Sequence, residues 1–265
     1  MSVPRCLTIA GSDSGGGAGI QADLKAFARA GCHGMSAIVA LTAQNTTGVT
    51  AVHEAPPGFV RAQLQAVFSD LGVDAAKTGM LFSRGLIESV ADYLADHPVP
   101  LVVDPVMVAS SGAQLLQDDA IETLVGRLFP LATVVTPNFH EAQVLAGRVP
   151  GSDPPTQRGL AVAIAELGAP AVVITGGHAP DPVDHLFDGR EHVEIPVVRH
   201  DSRSTHGAGC THSATLAAML ARGLDVRDAA REAARVASDA VANGLEELGA
   251  GEGPVDVLNL TGVAR

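Results

Sequence analysis

The sequence has very few aromatic side chains and no excess of positive charge. It contains no tryptophan and one tyrosine, and its formal net charge is −12 at pH 7. Proteins that bind single-stranded nucleic acids stack the bases on aromatic side chains, and nucleic-acid-binding domains in general present a basic surface. Both features argue against nucleic-acid binding as the main function. An acidic protein can still bind a small phosphate-containing ligand, because a metal ion and backbone amides neutralise the phosphates locally.

Cysteine is scarce, and long apolar runs are missing. The three cysteines, Cys6, Cys32 and Cys210, show no C-x-x-C spacing, and an odd number of cysteines without a disulfide framework is typical of a reducing compartment. Residues 1–10 lack the basic segment and the long apolar run of a signal peptide, and no stretch approaches the length of a membrane-spanning helix. From these absences we expect a soluble cytoplasmic protein.

The sequence does contain a regular alternation of apolar strands and helices. Its hydrophobic fraction of 46% and its charged fraction of 17% are those of a globular protein. Because continuous apolar runs are typical of strands buried on both sides, the alternation predicts an open, mainly parallel sheet with helices on both faces. The alternation continues past the polar segment 151–155, which we expect to be a surface loop, so we predict one domain over residues 1–265. The predicted strands are 6–10, 35–41, 75–77, 100–103, 132–135, 171–174, 183–187 and 192–198, the last two forming a hairpin, and the predicted helices are 20–30, 60–71, 84–96, 118–128, 141–146, 157–167, 213–222 and 226–243.

Residues that could bind a ligand or take part in catalysis follow nearly every predicted strand. In sheets of this kind, ligands bind at the carboxyl ends of the strands, so residues that come just after the strands meet at one edge. This convergence is the strongest indication of an active site that the residues provide by themselves. The segments concerned are 11–19, 44–45, 78–80, 104–105, 138–141, 176–178 and 204–211.

The segment 204–211, Ser-Thr-His-Gly-Ala-Gly-Cys-Thr, runs directly into a helix rich in alanine and leucine. Gly207 and Gly209 flank Ala208, so no large side chain covers the first amides of the helix, and a helix end of this kind binds anions. Cys210 lies in the first turn, where we expect the pKa of the thiol to be lowered. The alternative is an ordinary glycine turn before a helix with a buried cysteine. The convergence of polar strand ends favours the anion site.

Two carboxylates are candidate metal ligands. Asp104 ends an apolar strand, and Glu141 begins a helix three residues after Asn138. Mg²⁺ in phosphoryl-transfer sites is held by one or two carboxylates together with waters and phosphates, so the two side chains are suited to share one ion. For Glu141, a capping box with Asn138 is an alternative that is compatible with the metal role. No zinc site is predicted, because zinc-site spacing is absent from the three histidines near the strand ends, His178, His206 and His212.

The remaining candidates each have a structural alternative. The segment 11–19 is not a Walker A loop, since no Gly-Lys-Ser/Thr follows, and it is not a G-x-G-x-x-G motif, since position 20 is Ile20; it either lets a ligand approach the backbone or forms a tight turn. Gln44 offers an amide that can both donate and accept toward a heteroaromatic ring, or caps a loop. Asp23 faces either the crevice or solvent. Lys77 either contacts the substrate or has a structural, snorkelling role.

Together these segments resemble the hydroxymethylpyrimidine and phosphomethylpyrimidine kinases, within the ribokinase-like superfamily. The similarity extends over about residues 7–258. The first and the sixth of the matching segments are highly specific in combination, and the others are weaker singly. The segments are 10–46, 77–80, 102–112, 135–145, 176–178, 204–214 and 251–256.

The resemblance implies a three-layer α/β/α fold without a separate β-lid domain. It implies transfer of the γ-phosphate of ATP to the hydroxymethyl group of 4-amino-5-hydroxymethyl-2-methylpyrimidine, and then to the monophosphate, in thiamine biosynthesis. ATP and Mg²⁺ are the implied cofactors, and the pyrimidine is the implied small-molecule partner. We also expect a homodimer, and neither a nucleic-acid nor a membrane partner.

The matching motifs carry functional roles to individual residues of this sequence. The implied pyrimidine pocket, in which Asp23 and Gln44 would read the ring nitrogens and the amino group, is Gly11, Asp23, Gln44, Met80, Val106 and Met107. The implied ATP contacts are Asn138, Thr175, Gly177, Thr205 and His206. The implied metal ligands are Asp104 and Glu141. The implied anion hole is Gly207, Ala208, Gly209 and Cys210, with Cys210 at the position where sugar-kinase relatives carry an aspartate base.

Two positions depart from the family pattern. Thr175 stands where many relatives have a lysine over the ATP phosphates, so positive charge there must come from elsewhere or be weaker. Ala208 replaces a frequent threonine, which removes a hydroxyl and keeps the amide. Pyridoxal kinases share the fold and the cysteine-type anion hole, so pyridoxal is the alternative substrate. A pyrimidine-binding protein without catalytic activity is a further alternative, which Thr175 favours.

Overall fold

The computed structural model describes residues 2–108, 112, 115–117, 119–147, 149, 156–177, 179 and 181–262. Within these ranges, nine strands form one sheet and eight α-helices accompany it. The strands are β1 Arg5–Asp13, β2 His33–Asn45, β3 Gly48–Glu54, β4 Ala75–Thr78, β5 Leu101–Val103, β6 Val134–Val135, β7 Val172–Ile174, β8 Val183–Phe187 and β9 His192–Pro196. The α-helices are α1 Gly19–Arg29, α2 Pro57–Asp70, α3 Arg84–Asp96, α4 Ala120–Leu128, α5 Phe139–Ala146, α6 Gln157–Glu166, α7 Ala208–Ala221 and α8 Val226–Ala242, and short 3-10 helices lie at Phe129–Leu131 and Leu260–Gly262.

The sheet has a parallel centre and antiparallel edges. Its strand order is β3-β2-β1-β4-β5-β6-β7-β8-β9. All pairs from β2 through β7 in this order are parallel, whereas the pairs β3–β2, β7–β8 and β8–β9 are antiparallel. The predicted mainly parallel sheet is confirmed.

Two hydrophobic cores lie on opposite faces of this sheet. One core packs apolar side chains of the strands against α2, α3, α4, α5 and α6. The other packs the opposite strand face against α1, α7 and α8. Because successive side chains of a strand point to opposite faces, strands that are apolar at every position serve both cores at once. The result is the predicted three-layer α/β/α arrangement.

Two elements differ from the sequence prediction, and both border the site. The strand predicted at 35–41 continues to Asn45 and pairs with β3, which the sequence prediction lacks. Three of the seven residues of β3 are exposed at the edge of the sheet and none is buried, so it carries little of the apolar signal of the central strands. Helix α7 begins at Ala208, earlier than the predicted 213, because Gly207 takes a positive φ of 86° and ends the extended segment there.

Two sequence predictions, the surface loop at 151–155 and the role of His178, lie outside the described residues. In the ranges that are described, none of the helices combines the length and the apolar character needed to cross a membrane. Cys6, Cys32 and Cys210 are all free thiols.

Candidate active site

A cavity of about 360 Å³ lies where the parallel strands end, a volume suited to small-molecule ligands. Most of the site residues predicted from the sequence lie on its wall. Asp23 and Met107 are the two that do not. The predicted residues on the wall are Gly11, Gln44, Met80, Asp104, Val106, Asn138, Glu141, Thr175, Gly177, Thr205, His206, Gly207, Ala208, Gly209 and Cys210.

The start of α7 forms an open turn at the centre of this wall. Gly207 is required there, because its φ is positive and a Cβ at this position would lie 1.8 Å from the carbonyl oxygen of Gly17. The Ala208 amide donates to the Thr205 carbonyl at 3.1 Å, so it is less available than the sequence suggested. The amides of Gly209 and Cys210 have no acceptor among the described residues. They leave a helix N-terminus ready to bind an anion.

The Cys210 thiol does not have the lowered pKa that its place in the first helical turn predicted. Burial raises the pKa of Cys210 to about 12. The ammonium group of Lys77 opposes this shift, whereas the carboxylates of Asp23 and Asp104 add to it. The prediction was wrong because burial and two carboxylates outweigh a helix end. The thiol therefore holds its proton at neutral pH in the protein alone.

Asp104 and Glu141 form a pair of buried carboxyl groups at the ends of β5 and β6. The Glu141 carboxylate accepts hydrogen bonds from the backbone amides of Asn138 at 2.9 Å and Met107 at 3.3 Å, and the Glu141 amide donates to Asn138 Oδ1 at 2.9 Å. The predicted capping box at α5 is thus confirmed. Burial and the charge of Asp104 raise the pKa of Glu141 to about 8. Two neighbouring carboxylates repel each other, and a divalent cation between them would relieve this repulsion. The Ser213 hydroxyl donates a hydrogen bond to Asp104 Oδ2 at 2.7 Å.

A metal centre built from protein ligands alone is not present in the ranges that the structure describes, where no group of three potential ligands occurs. Mg²⁺ needs only one or two carboxylates when waters and phosphates complete its shell. The pair of Asp104 and Glu141 is therefore compatible with Mg²⁺.

Asp23 and Lys77 form a buried ion pair beneath the cavity. Neither side chain is exposed, and the Lys77 ammonium lies 2.9 Å from Asp23 Oδ1. The Thr8 hydroxyl donates to Asp23 Oδ2 at 2.6 Å. Asp23 therefore does not face a ring in the cavity, as the resemblance implied, and Lys77 does not snorkel to solvent. Met107 likewise lies in the core and reaches the site through its amide.

The glycine-rich segment is organised by Asp13, a residue that the sequence analysis did not single out. Its carboxylate accepts hydrogen bonds from the amides of Gly15, Gly17 and Ala18 at 2.8 to 3.0 Å. It also lies 3.0 Å from Nε2 of His206. Burial alone would raise the pKa of Asp13, but His206 and the amides outweigh burial and lower it. One carboxylate thus ties the glycine-rich loop to the turn before α7.

One end of the cavity suits a small heteroaromatic ring. Gln44 Oε1 accepts a hydrogen bond from the Thr42 hydroxyl at 3.1 Å, which leaves its NH₂ group as a donor. Met80 and Val106 provide apolar wall on this side. A Cβ on Gly11 would lie 2.3 Å from Cε of Met80, so glycine lets that side chain occupy the wall.

The other end is lined by apolar side chains and by a second aspartate–histidine pair. Asp184 accepts a hydrogen bond from the Gly176 amide at 2.7 Å and lies 2.9 Å from Nε2 of His212. This pair fixes the loop after β7, and the sequence analysis missed it because Asp184 lies within a strand. Thr175 brings no charge to this wall. The apolar lining of this end is Val197, Val198, Ala234, Ala237 and Val241.

A family model described as phosphomethylpyrimidine kinase matches residues 13–256. The chain belongs to the phosphomethylpyrimidine kinase family. The match spans both ends of the cavity, from Asp13 of the glycine-rich segment to the residues that follow α8. The ribokinase-like fold expected from the sequence is that of this family's structural relatives.

Individual relatives agree with the family assignment. A hydroxymethylpyrimidine/phosphomethylpyrimidine kinase of Rhizobium meliloti is 49% identical over 253 residues, which cover 94% of this chain and 95% of that protein. A thiamine biosynthesis bifunctional protein of Geobacter sulfurreducens is also 49% identical over 94% of this chain, but over 51% of its own length. Among solved structures, the ADP complex of a Bacillus subtilis pyridoxal kinase superimposes with a TM-score of 0.88 at 37% identity, covering 98% of this chain and 99% of that one.

Proposed function

We propose that this protein transfers the γ-phosphate of ATP to the hydroxymethyl group of 4-amino-5-hydroxymethyl-2-methylpyrimidine, and then phosphorylates the monophosphate to the diphosphate, for thiamine biosynthesis. One observation carries the proposal. In a single cavity, the backbone amides of Gly209 and Cys210, which have no acceptor in the described ranges, lie between two pockets. One pocket has the NH₂ group of Gln44 as a donor, and the other has an apolar wall. A phosphoryl group passing from a nucleotide to a ring substituent needs an anion site between the two ligands.

Phosphoryl transfer passes through a loose transition state, so catalysis is mainly positioning and charge stabilisation. In the proposed mechanism, the amides of Gly209 and Cys210 and the N-terminus of α7 stabilise the charge on the transferring group. Asp104 and Glu141 would hold Mg²⁺, which neutralises phosphate charge when bound. Cys210 receives the proton of the substrate hydroxyl when its side chain is in the thiolate form, which is a small fraction at neutral pH. Because the thiol is protonated in the protein alone, we assign the larger contribution to the amides.

The pyrimidine is proposed to bind between Gln44, Met80 and Val106, with the Gln44 amide donating to the ring. Gly11 leaves room for the Met80 side chain on the wall of this pocket. ATP is proposed to occupy the opposite end, where its base meets the apolar wall and its phosphates pass Thr175 and the start of α7. Asn138, Gly177, Thr205 and His206 complete this proposed nucleotide site.

The decisive experiment incubates the purified protein with Mg-ATP and either hydroxymethylpyrimidine or pyridoxal, and follows the phosphorylated products by mass. We expect the pyrimidine monophosphate and then the diphosphate. Preferred turnover of pyridoxal would favour the second candidate, which the likeness to the Bacillus subtilis pyridoxal kinase supports. The absence of any pyrimidine-dependent ATP turnover would favour a binding protein without catalytic activity.

Gln44→Ala tests the placement of the pyrimidine. Loss of the amide donor should raise KM for hydroxymethylpyrimidine, by roughly ten-fold for one hydrogen bond of about 1.4 kcal/mol. KM for ATP should stay nearly unchanged. An equal rise in both constants would move Gln44 out of the pyrimidine pocket.

The proposal includes a cytoplasmic enzyme that acts as a homodimer. The three free thiols are compatible with a reducing compartment. Sedimentation equilibrium of the purified protein tests the dimer, and a monomer at micromolar concentration would contradict it.

A further inference from the structure

Lys77 is one of only two lysines in the sequence, and it is wholly buried at the end of β4. Burying an ammonium group is costly unless the charge is paired and hydrogen-bonded. Lys77 nevertheless lines the cavity, together with Asp104 and Cys210, and its ammonium lies next to Gly79. Its position between the core and the site calls for an explanation beyond packing.

A continuous chain of polar contacts runs through Lys77. On the core side, its ammonium is 2.9 Å from Asp23 Oδ1, and Asp23 Oδ2 accepts from Thr8. On the cavity side, the ammonium lies 3.7 Å from Asp104 Oδ2. That oxygen accepts from Ser213, whose hydroxyl also lies 2.9 Å and 3.2 Å from the carbonyl oxygens of Gly209 and Cys210. These contacts thus link Thr8 of β1 and Asp23 of α1 to the turn that begins α7.

Lys77 keeps its positive charge and, within the described part of the chain, has unused hydrogen-bond donors after it pairs with Asp23. Burial raises the pKa of Asp23, whereas Lys77 and the Thr8 hydroxyl favour its charged form. Both oxygens of Asp23 are bonded, to Lys77 at 2.9 Å and to Thr8 at 2.6 Å, so the carboxylate fixes the ammonium in place. An ammonium group has three donors, and Asp23 is the one hydrogen-bond acceptor that the described residues offer it. Burial lowers the pKa of Lys77, but Asp23, Cys210 and Asp104 outweigh burial and raise it, so the lysine stays charged.

We propose that Lys77 is a positioning residue for phosphoryl transfer, a fixed positive charge anchored by Asp23 that holds the Asp104 carboxylate and stabilises negative charge at Cys210. The inference rests on the proposed function for its kinetic consequence. The effect of the Lys77 charge on the Cys210 thiolate does not depend on a bound substrate. Asp23 acts only through Lys77 and has no contact with the pyrimidine.

Two variants isolate the charge of Lys77 from that of Asp23. Asp23→Asn keeps the lysine, whereas Lys77→Met/Asp23→Leu replaces the ion pair by apolar side chains, a change that buried pairs often tolerate. Both lack the charge of Asp23, and in Asp23→Asn the ammonium keeps Asp104 as its neighbouring carboxylate at 3.7 Å, so the two variants differ electrostatically in Lys77 alone. The first measurement is the rate of iodoacetamide alkylation of Cys210, read by peptide mass spectrometry at one fixed pH without ligands. The second is kcat and KM with Mg-ATP and hydroxymethylpyrimidine.

We expect Cys210 to be alkylated at least about ten-fold more slowly in the double variant than in Asp23→Asn, since a ten-fold change in thiolate corresponds to one pKa unit. We expect kcat of the double variant to fall at least about 30-fold below wild type, while KM for the pyrimidine changes by less than about three-fold, because an interaction needed mainly in the transition state lowers kcat. Equal alkylation rates in the two variants, or a double variant with wild-type kcat, would reduce Lys77 to a counter-ion of Asp23.

Thr8→Val is the matched control. It removes the hydrogen bond to Asp23 on the core side and leaves both charges, so it should lower the melting temperature and leave the Cys210 alkylation rate within about two-fold of wild type, since a lost hydrogen bond costs stability. A large change in alkylation would mean that general loosening controls Cys210, and this would overturn the proposal. If wild type fails to phosphorylate the pyrimidine, the proposed function fails, and the alkylation comparison still decides the role of Lys77.

Discussion

The surroundings of Cys210 change the acidity of its thiol. Because burial raises the pKa of its thiol to about 12, the thiolate fraction at neutral pH is small and grows about ten-fold with each pH unit. If Cys210 receives the substrate proton, kcat should rise between pH 7 and pH 9. Cys210→Ala should lose this slope and about 10²–10⁴-fold of the rate, the usual contribution of general-base catalysis. Steady-state kinetics across this range are the measurement.

The same variant separates the base from the amides. Residual turnover in Cys210→Ala would come from the amides, which the substitution leaves in place. A variant that equals wild type at every pH would remove the base role and leave the anion-binding turn as the main catalytic device.

Glu141 makes the stability of the protein depend on pH. Its pKa in the folded protein, about 8, lies above its ordinary value of 4.5, so the folded state binds a proton that the unfolded state has released. Stability should therefore fall as pH rises from 4.5 to 8. Glu141→Gln cannot titrate, so between pH 5 and pH 8 wild type should lose on the order of 3 kcal/mol more stability than the variant. Urea unfolding at both pH values measures the difference.

The sign of this effect is the point of the test. Other groups titrate in both proteins and cancel in the comparison, whereas any fixed cost of the Gln substitution is the same at both pH values. A wild-type protein that gains stability over Glu141→Gln on going from pH 5 to pH 8 would contradict a raised pKa.

At the level of elements, the first turn of α7 contains two glycines with opposite requirements. A Cβ at Gly207 would meet the Gly17 carbonyl at 1.8 Å with a positive φ, whereas a Cβ at Gly209 meets no atom within 4 Å. Gly207→Ala should therefore lower the free energy of unfolding by at least about 2 kcal/mol. Gly209→Val should change stability by less than about 1 kcal/mol and lower kcat, because its side chain fills the anion site. Thermal melting and kcat measured on both variants separate the two roles.

If Gly209→Val keeps normal kinetics, the amides at this turn do not bind the transferring group. If Gly207→Ala is as stable as wild type, the close approach of the glycine-rich loop to α7 is not needed for folding.

Helices and strands could be predicted from the sequence where a local run of apolar residues marks them. Apolar runs of the central strands predicted the parallel sheet, and strand ends predicted which segments would meet. Strand β3 was missed because an edge strand without a single buried residue lacks that pattern. Asp13 and Asp184 were missed because their partners, His206 and His212, lie far away in sequence. Asp23 was misplaced because one helical turn decides whether a carboxylate faces the cavity or the core.

At the level of the whole molecule, one sheet carries every part of the site. Strands β1, β4, β5, β6 and β7 are hydrogen-bonded neighbours, and the cavity residues follow their ends. The two cores share these strands. Neither face can lose its helices without exposing apolar side chains of the same strands, so we propose that residues 1–265 fold as one domain.

Calorimetry tests the single domain and its coupling to the site. A chain with one continuous sheet should unfold in a single transition whose calorimetric and van't Hoff enthalpies agree. Mg-ADP at about 100 times its Kd should stabilise the folded state by about 2.7 kcal/mol and move the whole transition upward by about 5–10 °C for a chain of this size. Two transitions, of which only one responds to Mg-ADP, would instead mean that the two halves of the sheet melt independently, and the nucleotide end would then be a unit separate from the pyrimidine end.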